Sequence, residues 1–218
     1  LRGIAAVNAQ IVAEGRYTTD DGTVVVVGSA LEAAVSGTVS HPPDGLVKPP
    51  HTATSRGTLF EVTVESSLQA ARRLHLAGAT RIAVLNFASA RNPGGGYLGG
   101  AKAQEEDLCR HSLLYPCLLQ APDYYAAHLS SADLLYSHRV IAERVLAVAA
   151  HHGARRLVLG AWGCGVFRND PREVADAFHA HLTAGGAFRP ACLQPGPTAR
   201  PWPPDIPAKN MKIHHVRC

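Results

Sequence analysis

The chain has 218 residues, which suits one core of ordinary size with peripheral segments, since compact domains hold roughly 100–200 residues. Its 46% hydrophobic and 17% charged residues, without an apolar run near the roughly 20 residues of a membrane helix, describe a soluble globular protein and exclude a membrane-spanning one. The formal charge of +4 leans mildly toward anionic partners, but Lys and Arg are scattered, so no direct nucleic-acid partner is expected.

Ile4, Val7, Ile11 and Val12 recur at helical spacing and predict an amphipathic helix over Leu1 to Glu14, stopped by Gly15. Thr23 to Val27 reads as a strand and Ala30 to Val35 as a short helix. Residues 40–54, with Pro42, Pro43, Pro49 and Pro50, form a polar loop. Leu59 to Val64 alternates as a strand. Ser66-Ser67-Leu68-Gln69 then supplies a capping box for a helix to about Leu76, which Gly78 ends.

Arg81 to Asn86 is an apolar run of the kind a buried central strand shows, with Asn86 at its carboxyl end. Residues 92–100 are dominated by glycine, and Ala103 to about Leu114 turns helical. A helix begins near His138. Arg156 to Gly160 is a second buried strand, followed by the small-residue turn Ala161 to Gly165. Asp170 as N-cap, Pro171 at the first helical position and Glu173 two further on open another helix. Two strand, glycine turn, helix units predict an α/β domain that binds ligands at the carboxyl ends of its strands. One domain over 1–184 is expected, with a proline-rich, irregular tail over 185–218.

Five cysteines, odd in number and without CxxC spacing, read as thiols in a reducing, intracellular (cytoplasmic) compartment. The histidines, among them His151-His152 and His214-His215, show no HExxH or Cys/His ligand spacing. They are read as surface residues, and neither a metal nor a cofactor is expected.

Gly94, Gly95, Gly96, Gly99 and Gly100 remove Cβ atoms from a turn, so backbone N–H groups can approach a ligand closely. Taken alone, such a cluster describes a flexible linker equally well. Beside it, Gln104-Glu105-Glu106 opens a helix. Adjacent helical residues point about 100° apart, so the two carboxylates divide their labour: one as general acid on a glycosidic oxygen, its pKa raised by burial, the other holding a hydroxyl. The competing explanation is that acids in a first helical turn simply favour the macrodipole.

The stretch from Val84 through Asn86 to Gly94-Gly95-Gly96, followed after seven residues by Gln104-Glu105-Glu106, resembles the GGG-x(6–8)-QEE signature of microbial-type poly(ADP-ribose) glycohydrolases. The resemblance continues through Leu114-Tyr115-Pro116-Cys117 and resumes over Leu159 to Asp170. It implies a macrodomain-like, three-layer α/β/α fold with a mixed central sheet, and hydrolysis of the ribose–ribose O-glycosidic bond of poly(ADP-ribose), on the polymer or on ADP-ribosylated proteins, releasing ADP-ribose.

Residue by residue, the resemblance implies that Glu106 protonates the leaving 2′ oxygen while Glu105 and Asn86 hold the distal ribose. Gly94, Gly95 and Gly96 would form the catalytic loop, with Gln104 at the substrate. Gly163, Cys164, Gly165 and Val166 would wrap the diphosphate, and Phe167 would stack on adenine. Judged singly, Phe167 fits a core position as well, and Cys164 has no neighbouring histidine in sequence to make it a nucleophile. The family carries further strands where this chain passes directly from Ser137 to His138. On that account the sheet is expected to lack strands near residue 137, and an ADP-ribose-binding module or an inactive isoform is the alternative reading. The family's final apolar strand is likewise not expected after Pro190.

Overall fold

The computed structural model describes residues 1–41, 60–130, 138–165, 167–183, 188 and 212–217. Most of the expected 40–54 loop, Val166 and the junction at 131–137 lie outside the described residues. The chain divides into two compact units, each built from two segments.

One unit comprises Leu1–Ser40 and Asn86–Leu134. Its first helix, α1 (Arg2–Glu14), ends at Gly15, whose φ of 66° is the left-handed value that a side chain would resist. A hairpin follows, β1 (Arg16–Thr18) paired antiparallel with β2 (Val24–Val26), then α2 (Gly28–Ser36). After the glycine turn come α4 (Gln104–His111), α5 (Leu114–Leu118) and α6 (Pro122–Ser130). A small core of Ala5, Tyr97 and Cys109, backed by Leu114, Tyr115 and Leu118, joins α1, the turn, α4 and α5.

The other unit comprises His41–Leu85 and Leu135–Cys218. It holds a four-stranded mixed sheet in the order β3 (Phe60–Thr63), β6 (Lys212–Arg217), β5 (Arg156–Val158), β4 (Ile82–Val84). β4 and β5 run parallel, and β6 is antiparallel to both its neighbours. Successive strand residues face opposite sides. Ala83, Leu85, Leu157 and Leu159 pack on one side with Val174, Phe178 and Leu182 of α8 (Pro171–Leu182) and Leu146 of α7 (His138–His151). Ile82, Val84 and Val158 pack on the other with Ala70 and Leu74 of α3 (Ser67–Leu76). This alternation makes the unit a three-layer α/β/α sandwich, as expected.

Ser66 forms both bonds of its capping box with Gln69, and the Asp170 side chain accepts from the Arg172 N–H at 2.8 Å, so both predicted helix starts are real. The tail differs from expectation. Residues 212–217 form β6, paired on both edges, where an irregular segment and no final strand were predicted. The β-branched Ile213 and Val216 give this short segment only a weak intrinsic preference. Pairing with β3 and β5, which no local pattern encodes, decides its conformation.

Candidate active site

Asn86 lies two residues beyond β4, and the chain from there to Gly100 folds against the first turn of α4. Glu105 and Glu106 begin that helix and are only 3% and 7% exposed. Burial at this depth is rare for carboxylates that lack partners. Their partners are largely backbone. The Glu105 Oε2 accepts from the Ser89 N–H at 2.7 Å, and its Oε1 accepts from the Asn86 Nδ2 at 3.2 Å. The Glu106 Oε1 accepts from the Gly96 N–H at 2.8 Å. Oε2 of Glu106 and Oδ1 of Asn86 are buried with no hydrogen-bond partner among the described residues.

The glycines permit this. Gly94 and Gly95 have φ of 70° and 58°. A Cβ on Gly95 would lie 2.6 Å from the Glu106 Oε1 and 3.2 Å from the Glu105 Oε2, so both carboxylates close around a position that only glycine fills without displacement. A Cβ on Gly94 would meet the Tyr115 ring at 2.8 Å. Tyr115 in turn lies 5.0 Å, centroid to centroid, from the buried Tyr97, which makes the floor of the turn aromatic.

Burial raises the pKa of Glu105 above the ordinary carboxylate value. The Ser89 and Asn86 hydrogen bonds oppose this, while the neighbouring Glu106 charge adds to it. Burial likewise pushes the Cys109 thiol up to about 12, which keeps it protonated and inert beneath the turn. The two carboxylates meet different parts of the turn: Glu105 faces the Asn86–Ser89 segment and Glu106 faces Gly96. Gln104 uses its Oε1 to accept the Phe87 N–H at 2.9 Å, which braces the same segment.

The second glycine turn follows β5 within the sheet-bearing unit. Gly163 has φ of 70°, and the Asn169 amide occupies the place a Cβ would take. Cys164 N–H donates to Ala161 O, Arg168 N–H to Gly165 O and Asn169 N–H to Gly163 O, so the turn folds on itself ahead of the Asp170 cap. A Cβ on Gly165 would enter open space. Phe167 is 61% exposed, so it is not a core residue. Cys164 is half-buried and its thiol pKa is raised by burial and by Asp170, the opposite of an activated nucleophile. Val166 lies outside the described residues.

Ser89 bonds Glu105 and Phe87 bonds Gln104, while Asn8, Tyr97 and Arg110 form a hydrogen-bonded group beside the turn, and the sequence singled out none of the five. Ser89 and Phe87 act through backbone N–H groups, which leave no trace in residue identity. Among the described residues no group of three or more His, Cys, Asp or Glu side chains is placed to hold a metal ion, and no helix is long and apolar enough to cross a membrane.

A buried carboxylate pair held against a glycine turn is the kind of site that glycosidases, as a class, use. The family described as "Microbial-type PARG, catalytic domain" matches residues 5–146, and the chain belongs to that family, the microbial-type poly(ADP-ribose) glycohydrolases. It is similar to the crystal structure of poly(ADP-ribose) glycohydrolase from Thermomonospora curvata, with 38% identity and a TM-score of 0.82 over 87% of this chain and 89% of that one. The same enzyme bound to the inhibitor ADP-HPD matches at 34% identity and a TM-score of 0.71, over 86% and 88%. The Deinococcus radiodurans enzyme in complex with ADP-ribose matches at 35% identity and a TM-score of 0.56, over 86% and 88%. No curated protein matches the chain significantly. The fold is macrodomain-like and the protein is a glycosidase.

Proposed function

We infer that this chain hydrolyses the ribose–ribose O-glycosidic bond of poly(ADP-ribose), releasing ADP-ribose, with Glu106 as the general acid. The observation that carries the assignment is the unequal treatment of the two Glu106 oxygens. Oε1 is fixed by the Gly96 N–H, whereas Oε2 is buried without a partner among the described residues. In the acid form the proton therefore belongs on Oε2, the oxygen left to donate it. That proton passes to the leaving 2′ oxygen as the glycosidic bond breaks. Water then adds to the oxocarbenium-like carbon, and its proton returns to Glu106.

Glu105 and Asn86 hold the distal ribose. The Asn86 Oδ1 is left over from its bond to Glu105 and accepts a ribose hydroxyl. The second glycine turn, Gly163, Cys164, Gly165 and Val166, is assigned to the diphosphate, and the exposed ring of Phe167 stacks on adenine. The substrate's own diphosphate helps stabilise the developing positive charge. The polymer, free or attached to protein, is the partner of this site, with neither DNA nor a membrane required. An intracellular location completes the reading, supported by the free thiols of Cys109, Cys117 and Cys164.

Glu106→Gln tests the assignment, because it keeps the shape and the acceptor facing Gly96 but cannot deliver the proton. ADP-ribose release should be lost and ADP-ribose binding kept. Unchanged turnover would remove Glu106 from the role of acid.

A further inference from the structure

We propose that Arg110 is a positioning residue for Glu106, acting through the turn from Gly96 to Ala101; the proposal rests on the reading of Glu106 as the acid. Arg110 lies four residues after Glu106 on α4, hence on the same face of the helix. Arginine in the last turn of a helix ordinarily reaches into solvent and offsets the C-terminal dipole. This one is buried, with its side chain 6% exposed, and leans back along its own helix as side chains of a helix do.

Its partners explain the direction. The Arg110 Nη1 donates to the Ala101 carbonyl at 2.6 Å, and its Nη2 lies 3.5 Å from the Asp107 Oδ1. Ala101 N–H donates to the Gly96 carbonyl at 3.1 Å, and Gly96 N–H donates to the Glu106 Oε1 at 2.8 Å. The path starts and ends on α4, so the guanidinium and the carboxylate grip the same loop from two points one helical turn apart. The loop is closely packed at this point, since the Ala101 methyl sits 2.7 Å from where a Cβ on Gly96 would be, so only glycine fits there without displacement. Asn8 secures the far end: its Nδ2 donates to the Arg110 carbonyl at 3.0 Å and to the Tyr97 hydroxyl at 3.1 Å.

Without the guanidinium, the Ala101 carbonyl loses a charge-assisted bond in a partly buried place, and the Gly96 N–H is no longer fixed where the Glu106 Oε1 needs it. An acid misplaced by a fraction of an ångström still allows the ligand to bind but transfers its proton poorly. The effect belongs to kcat.

The experiment compares Arg110→Met and Arg110→Lys with the parent chain in three measurements. These are steady-state release of ADP-ribose from poly(ADP-ribose), thermal melting with and without ADP-ribose, and hydrogen exchange of a peptide covering residues 94–101. Arg110→Met should lower kcat by roughly 10- to 100-fold with KM little changed. It should keep the melting shift on ADP-ribose and speed exchange of the peptide, and Arg110→Lys should restore part of kcat. A kcat within about twofold of the parent would overturn the proposal. So would a loss of kcat accompanied by loss of the ADP-ribose melting shift, which marks general structural damage. If Arg110→Met does not melt cooperatively, Arg110→Lys decides alone: reduced kcat at unchanged KM supports the proposal and unchanged kcat overturns it. Glu106→Gln, run beside them, tests the acid separately, since turnover in that variant would remove the underlying reading whatever the Arg110 variants do.

Discussion

The backbone N–H of Gly96 donates to the Glu106 Oε1 at 2.8 Å, joining a glycine turn to a buried carboxylate ten residues later in the chain. With Glu106 as the proposed acid, that bond fixes one of its oxygens and leaves the other for chemistry, so small changes in the turn should act on turnover.

Gly95→Ala should be far more harmful than its size suggests. The φ of 58° costs an L-residue about 1–2 kcal/mol, and the new methyl would sit 2.6 Å from the Glu106 Oε1. The carboxylate is held by Gly96 and cannot retreat without losing that bond. Turnover should fall on the order of 100-fold, with a lowered but cooperative melt. Steady-state kinetics and differential scanning calorimetry check both.

Phe167→Ala separates adenine stacking from folding. A ring this exposed contributes little to the core, so stability should change by less than about 0.5 kcal/mol. ADP-ribose affinity should fall by roughly 1–3 kcal/mol, the usual worth of one aromatic–base stack. Calorimetric titration gives the affinity; an unchanged Kd would remove the ring from the ligand site.

Glu105 should make stability pH-dependent in a defined direction. Its folded-state pKa is raised above the ordinary value of 4.5 by burial, so the folded state holds this proton where the unfolded chain has released it. The contribution is fully present below that ordinary value and is lost as pH rises through the raised folded value. Melting temperatures from pH 4 upward should therefore decline less steeply in Glu105→Gln than in the parent, and parallel curves would contradict the shift.

Asp170→Ala should remove the N-cap of α8 at a cost of about 1 kcal/mol in urea unfolding, because the Arg172 N–H loses its 2.8 Å acceptor. Asp170 directly follows the Gly163–Asn169 turn, so hydrogen exchange in that turn should rise as well.

Much of this architecture was legible because it is written locally. The Ser66 and Asp170 caps, the stop at Gly15 and the carboxylates at the start of α4 are each set by side chains within a few residues of one another. What escaped was set from a distance. The three-residue strand β1 is too short for a period to show, and α6 carries little helical patterning. The strand at Lys212–Arg217 exists through pairing on both edges. Arg110 looks like an ordinary last-turn cation until the Ala101 carbonyl is seen beside it, and the backbone donors of Ser89 and Gly96 have no sequence signature at all.

Release of ADP-ribose from purified poly(ADP-ribose) by this chain, followed against time beside a thermal melt with and without ADP-ribose, is the most direct test of the account. Turnover by a cooperatively folded protein is the predicted result. A protein that melts cooperatively and is stabilised by ADP-ribose, yet releases none from the polymer, would contradict it and leave a binding module in place of an enzyme.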